Sequence, residues 1–496
     1  MRRNITVALA SLALLLGTAG CNSFLTGENL SNDPNNPAQG TIQTLFSGIQ
    51  GAQFAFQEGT VPMMVCMWVQ QCGATNGRFV EQAGRYVFGA GSNIGANGGD
   101  WATIYAAGGV IDMDTIVALA TRAGDSLYLG IDLVWKGFTV GSAADLWGSI
   151  PYSELRTSTT PKLDSQLVVY DTVQRMLSRA ITALQASRDS SLGGIKARTL
   201  PAPPDLVFGG NPSARAASWI ATAHTLKARY FLHTVEAASN GKLGARTATD
   251  VWNDVIAQAT LGIGSPAGDF RAFHTGTSYP QSNMWFQFQD NSAFGGDLDA
   301  GKALVDYMNG RNDPRRADYF CTNGADVYAG DDFNVPQPDV SFFDCEPLRF
   351  TGDFRVPYVT YQENQLILAE ANLALANTAA AQANLNAAYA AVPGLASSAT
   401  GVTGAALLDS IMMEKYVVMF QNIEVLSDHR RTCIPALTPV SPNVLSLPAV
   451  PGELFYPQTE RNANANIPDE SAEVAAGVRT ESDVHPCTGP GAAAYP

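Results

Sequence analysis

Apolar residues recur at helical spacing through most of this chain, and that recurrence constrains the fold more than any other feature. Leu127, Ile131, Val134 and Phe138 fall at i, i+4, i+7 and i+11. Trp219, Ala223, Leu226 and Tyr230 repeat the spacing, and Val169, Val173, Met176, Ala180 and Leu184 form a longer stripe of the same kind. Leu366, Ala369 and Leu373 mark another helix, followed by an Ala-rich one reaching about Ala391. Each stripe is one face of a helix and needs a partner helix to cover it. Ser, Gly and Pro clusters at 190–194, 201–204 and 209–212 break the helices apart.

Paired helices joined by short breaks predict an all-α fold of tetratricopeptide-like helix pairs, with degenerate rather than regular repeats. The scaffold is expected mainly over 38–260 and 359–434. Elsewhere the texture changes. Gly, Ser, Thr and Asn mix with Phe270, Phe273, Tyr279, Trp285, Phe286, Phe288 and Phe294. A similar mixture between residues 72 and 101 holds Phe79, Tyr86 and Phe88. Long irregular loop-rich insertions are therefore expected at 262–358 and 435–468, and 469–496 reads as a C-terminal extension. Loops on a rigid scaffold are where binding residues concentrate.

The first residues are an address. Arg2 and Arg3 precede an apolar run over residues 5–16, then Gly17-Thr18-Ala19-Gly20 and Cys21. That order is a secretory signal peptide, expected over 1–20. Ala19-Gly20-Cys21 is similar to a bacterial lipoprotein signal, although Thr18 stands where such signals usually carry Leu. Cys21 is the expected lipidation site, and 21–37 the lipidated tether. Several acyl chains on one thiol-linked anchor hold where one chain would not, at about 0.8 kcal/mol per buried CH₂. Past residue 20 no apolar stretch reaches the roughly 18 residues of a bilayer span.

Charge narrows the function. Thirty Lys and Arg against 45 Asp and Glu give a formal net charge of −15, which repels phosphate backbones and excludes nucleic acid as a partner. Beyond Cys21 six cysteines remain, an even count that in an exported chain predicts disulfides. Proximity along the chain favours Cys66–Cys72, Cys321–Cys345 and Cys433–Cys487. No Cys-x-x-Cys and no histidine ligand spacing occurs, so no metal site is expected. Nucleophile elbows, His-Glu-x-x-His and phosphate loops are absent from the sequence, and no cofactor is expected.

Nine motifs in order carry a resemblance. They are Ser31-Asn32-Asp33-Pro34-Asn35-Asn36-Pro37; Trp101 with Tyr105; the run from Asp145 through Trp147, Pro151 and Tyr152 to Glu154; Tyr170-Asp171-x-Val173; Asp205 to Gly210 with Trp219 and Leu226 to Arg229; Asn312-Asp313-Pro314-Arg315; Tyr361-x-Glu363 with Ala369-Glu370-Ala371; Asp428-x-Arg430-Arg431-Thr432; and Tyr456-Pro457 with Glu460, Asn464 and Asn466. Together they resemble the SusD/RagB-like outer-membrane lipoproteins, from about Leu25 to Pro468, with His224 at a position the family usually fills with an Asn-type residue. The resemblance implies a helical, non-enzymatic protein, anchored by lipid at the cell outer membrane and facing outwards. It also implies a SusC/RagA-like TonB-dependent transporter as partner and a nutrient ligand, either a glycan oligosaccharide or, in RagB-like members, a peptide.

The shared motifs transfer no ligand residues. Most read as turns and fasteners: Asp145, Pro151 and Tyr152 as a helix exit, and Asp313-Pro314-Arg315 as a turn in which Asp starts and Pro fixes φ. Arg430 and Arg431 beside Asp428 read as internal ion pairs, with anion capture the sharper alternative. Glu363 and Glu370, seven residues apart on one helix face, could act as paired carboxylates in glycoside cleavage, the enzymatic alternative, but a solvated helix face produces the same spacing and no nucleophile or base motif supports catalysis. For ligand capture, flat rings cover the C–H faces of sugars while amides and guanidinium groups bond hydroxyls. The candidate ligand residues are Trp68, Asn76, Arg78, Phe79, Tyr86, Tyr279, Trp285, Gln287 and Phe288; any single ring is expected in the core or facing the transporter barrel, and one or two of the group are expected to line a pocket.

Overall fold

The computed structural model describes residues 40–75, 77, 79–86, 99–106, 108–188, 205–209, 211–291, 293, 295–443 and 446–488. The predicted signal, Cys21 and the tether lie outside these residues. The scaffold helices are α1 (Ile42–Glu58), α2 (Val110–Ala123), α3 (Ser126–Trp147), α4 (Gln166–Arg188), α5 (Pro212–Leu232), α6 (Ala248–Ala259), α7 (Tyr361–Ala374), α8 (Thr378–Ala390), α9 (Gly404–Val418) and α10 (Glu424–Thr432). Each of α2 to α6 packs on the next, and α6 packs directly on α7, which packs on α8 and α9. This is the expected stack of helix pairs, and the stripes read from the sequence are its buried faces. The sequence starts several of these helices locally. Asn211 caps α5 with Pro212 at its first position, and Thr247 with Asp250 forms a capping box on α6.

The chain over Gly99–Ala123 is long and apolar enough to cross a membrane by length and composition, contrary to the sequence expectation. It is not one rod. A helix ending at Tyr105 and α2 starting at Val110 are separated by Gly108, whose φ of +93° a side chain would resist. Close approach also needs a glycine: a Cβ on Gly141, within α3, would lie 2.1 Å from the ring of Tyr230 on α5.

Because α6 touches α7, the hundred or so residues between them leave the scaffold and return to it. Antiparallel pairing of Phe270–Arg271 with Pro357–Val359 closes the neck of that excursion, with Phe270 opposite Val359. A second small ladder pairs Cys72–Ala74 with Leu298–Ala300, so the two Gly- and aromatic-rich stretches seen in the sequence meet in space. The excursion is not all loop: Met284–Asp290 and Lys302–Gly310 are helical. Cys66–Cys72, Cys321–Cys345 and Cys433–Cys487 are disulfides, the pairing that proximity favoured.

The core is unusual in its charge. Arg229 on α5 donates from Nε and Nη2 to Glu363 at 2.6 and 2.7 Å. Arg431 reaches Glu370 at 2.7 Å and Asp428 at 2.9 Å, and Lys415 reaches Asp428 at 2.6 Å. Arg430 donates to Asp483 at 2.8 Å. All of these groups are buried. Burying a charge is costly unless it is paired and hydrogen-bonded, so the motif residues fasten helices to one another across the stack. Other motif residues fasten too: Asp205 accepts from Trp219 Nε1 at 2.8 Å, and Asp313 and Glu414 both accept from Arg315. The segment read as an extension is built into this core, since Asp483 holds Arg430 and Cys487 holds Cys433.

His233 sits between Asp145 and Glu424, its two ring nitrogens 2.7 and 2.8 Å from their carboxylates. Burial alone would lower its pKa. Glu424 and Asp145 outweigh that and raise it to about 9. The three groups are near enough to share an ion, but both imidazole nitrogens are already hydrogen-bonded to the two carboxylates.

Candidate functional site

Past the neck of the excursion the chain makes a short 3₁₀ turn, Tyr279–Gln281, and then the helix Met284–Asp290. Asn283 sets the angle between them: its Oδ1 accepts from the Trp285 backbone N–H at 2.7 Å and its Nδ2 donates to the Phe354 carbonyl at 3.1 Å. Tyr279 lies back across the helix, its hydroxyl donating to the Gln287 carbonyl at 2.6 Å. The Gln287 side chain donates in turn to the Ser282 carbonyl at 2.7 Å.

A cleft of about 360 Å³ opens beside this turn, lined by Phe54, Leu206, Phe273, His274, Met284 and Gln287 among others. One lining residue, His274, is held by a buried carboxylate. Glu58, fully buried at the end of α1, accepts from the Tyr358 hydroxyl at 2.5 Å and faces His274 Nε2 at 2.8 Å. One lining ring, Phe273, stays in solvent at 41 % exposure, and the Tyr279 ring, 44 % exposed, stands beside the lining residues Pro280 and Gln281. Arg355 stands 5.7 Å from the Phe273 ring centroid and is itself anchored by a bond from Nε to the Ala272 carbonyl at 2.5 Å. Among the described residues, Gln281 Nε2 and Gln287 Oε1 have no protein partner. Rigid rings beside free amide groups match a ligand with apolar faces and an edge of hydroxyls.

This placement sorts the sequence candidates. Gln287 lines the cleft, and Tyr279 stands next to it, hydrogen-bonded to the Gln287 carbonyl. Trp68, Phe79, Tyr86 and Trp285 do neither: all four are buried and corrected to core residues. Trp68 Nε1 donates to the Ala83 carbonyl at 2.9 Å and its ring meets the edge of Tyr86. The Tyr86 hydroxyl accepts from Val440 N–H at 2.8 Å; burial pushes its pKa up to about 12, against the opposing pull of that bond. Trp285 packs edge-on against Phe350. Phe288 is half-buried and meets Phe79 edge-to-face at 5.4 Å, so these two rings contact each other rather than a ligand. A ring-rich loop gains more from covering its rings than from displaying them, at about 25 cal/mol per Å². Asn76 and Arg78 lie outside the described residues. Phe273 and His274 were missed because nothing in their sequence sets them apart from their aromatic neighbours; only the neck pairing puts them at the cleft.

The carboxylates of the enzymatic alternative are also corrected. Glu363 and Glu370 do share α7, but neither is on a solvated face: both are buried and bonded to arginines. Arg430 and Arg431 are likewise fasteners rather than anion receptors.

A stacked helical scaffold that projects an aromatic-lined cleft from an inserted excursion has the architecture of a binding protein. The chain belongs to the SusD-like family: the family model described as starch-binding, associating with outer membrane, matches residues 34–457. Solved structures of the same fold include a chitin-binding SusD homolog from Flavobacterium johnsoniae, at 18 % identity and a TM-score of 0.68, covering 90 % of this chain and 99 % of that one. A SusD homolog from Bacteroides fragilis matches at 19 % identity and 0.66, covering 91 % and 99 %. A SusD/RagB family protein from Bacteroides thetaiotaomicron matches at 17 % and 0.61, covering 92 % and 100 %. No curated protein matches the sequence.

Proposed function

We propose that this protein captures glycan oligosaccharides at the outer membrane, without cleaving them, and passes them to a SusC-like TonB-dependent transporter. The observation that carries this is the cleft beside Tyr279–Gln281, where exposed Phe273 and Tyr279 stand next to the amides of Gln281 and Gln287. The family description and the chitin-binding relative support a glycan as the cargo. Lipidation at Cys21 would hold the scaffold at the membrane, and an outward-facing position would let it receive cargo before the transporter does. Buried Glu363 and Glu370 leave the hydrolase alternative without its candidate carboxylates.

Two measurements test this. Calorimetry against neutral oligosaccharides and peptides should give heat with at least one oligosaccharide and none with peptides; the reverse selects the peptide-binding alternative. Purification from detergent-solubilised native membranes should bring down a TonB-dependent barrel and yield an acylated N-terminal cysteine. A soluble, unacylated protein without a partner would refute the delivery role.

A further inference from the structure

A second cleft, of about 320 Å³, lies where the neck of the excursion meets the turn before Arg315, with Arg271, Pro314, Arg349, Gln362 and Pro393 in its walls. Arg349, like Arg355 and Arg479, lacks the ion pair that fastens most arginines of the core. Arg229, Arg315, Arg430 and Arg431 each have a carboxylate within 3 Å. Arg349 has no ion pair among the described residues. Its one hydrogen bond runs from Nη1 to the Phe420 carbonyl at 2.8 Å.

Its guanidinium is nevertheless held rigidly. The central carbon lies 4.3 Å from the Tyr319 ring centroid, 5.6 Å from Phe354 and 5.9 Å from Phe420. With Nη1 tied down, the Nε–Nη2 edge is left, and among the described residues neither nitrogen has a partner. That edge is the fork that meets a carboxylate with two parallel bonds. Of the nearby carboxylates only the exposed Asp318 offsets the Arg349 charge without an arginine partner of its own, and it makes no ion pair with Arg349 among the described residues. Arg271 is paired with Asp269, and Arg315 with Asp313 and Glu414. Burial, with Arg271 and Arg315, presses the Arg349 pKa below its usual value against the opposing pull of Tyr319 and Asp318. Asp318, exposed at the rim, and Gln362 are placed to meet hydroxyl groups. The volume is at the small end of ligand pockets, enough for one sugar unit.

We propose that this cleft receives the carboxylate of an acidic sugar, a uronate unit of a captured oligosaccharide, on the Nε and Nη2 fork of Arg349. This rests on the glycan-capture function above and names a class of glycan for it.

The test is calorimetry on the purified full chain with galacturonate and glucuronate trimers, their methyl esters, a neutral trimer and a tripeptide with a free C-terminus. At least one acid trimer should bind ten-fold or more tighter than its ester. Arg349→Gln should remove that preference and leave neutral-trimer binding unchanged; Arg349→Lys, which keeps the charge and loses the fork, should fall between. Arg349 is packed among rings and its variants can misfold, so the acid-to-ester comparison on the wild type stands alone, and Arg271→Gln at the cleft mouth should weaken acid binding two- to three-fold. Equal binding of acid and ester, or acid binding untouched in a folded Arg349→Gln protein, overturns the proposal while neutral-trimer binding keeps the capture function standing. A tripeptide bound tighter than either uronate overturns the sugar assignment. No binding of any saccharide overturns both.

Discussion

Replacing Glu363 with Gln tests whether the shared motif residues fasten the fold or perform chemistry. Glu363 is fully buried, and both of its oxygens accept from Arg229, at 2.6 and 2.7 Å. It also closes the capping box of α7, accepting from the Thr360 N–H at 3.3 Å. Glu363→Gln keeps the shape and removes one charge. Breaking a buried ion pair from one side costs about 3–5 kcal/mol. Arg229 retains Glu424 at 3.7 Å and the Tyr358 carbonyl at 2.7 Å, which places the loss near the lower end, about 3 kcal/mol. Unfolding entropy near 2.1 cal/mol/K per residue, over roughly 450 residues, gives about 1 kcal/mol/K, so Tm should fall by about 3 °C. Differential scanning calorimetry reads this directly. An unchanged Tm would refute the fastening role. A variant as stable as the wild type that lost polysaccharide cleavage would establish a catalytic one.

Two further outcomes follow from the packing. Gly141→Ala should lower Tm by one to a few degrees, because the added methyl meets the Tyr230 ring and overpacking costs about 1–3 kcal/mol; a neutral result in thermal unfolding would mean that α3 and α5 are further apart than described. Stability should also fall between pH 6.5 and 9. The folded pKa of His233, about 9, lies above its unfolded value of roughly 6.5, so its contribution is complete below pH 6.5 and is lost as pH rises through 9. His429 acts on the other side: burial first, and then Arg479, lower it to about 3, so its contribution is lost as pH falls below about 6.5. His233→Gln should flatten the alkaline limb of a Tm–pH series and leave the acid limb; an unchanged alkaline limb contradicts the assignment.

The helices were legible because a 3.6-residue stripe survives any change of partner: the faces of Leu127 to Phe138 and Trp219 to Tyr230 are the buried faces. The disulfides were legible from proximity. The fastening of the motifs was half legible. Arg430 and Arg431 read as ion-paired, but their partners Asp483 and Glu370 lie 53 and 61 residues away, a distance no local spacing encodes. The same is true of Glu363, whose Arg229 is 134 residues distant. The site was least legible. A ring in a Gly- and Ser-rich loop has the same sequence signature whether it faces water, as Tyr279 does, or packs inward, as Trp285 does. That difference is decided by the pairing of Phe270–Arg271 with Pro357–Val359, made across more than eighty residues of chain. In the tail the Cys433–Cys487 bond was legible, whereas Asp483, the buried partner of Arg430, sits in loop-like sequence that does not mark it.

The most direct measurement is a calorimetric titration of neutral oligosaccharides into the wild type and into Phe273→Ala, whose ring is exposed and whose loss leaves the core intact. Glycan capture at this cleft predicts measurable binding to the wild type and about ten-fold weaker binding to the variant, roughly 1.4 kcal/mol. Identical isotherms for the two proteins, or no binding by either, would contradict it.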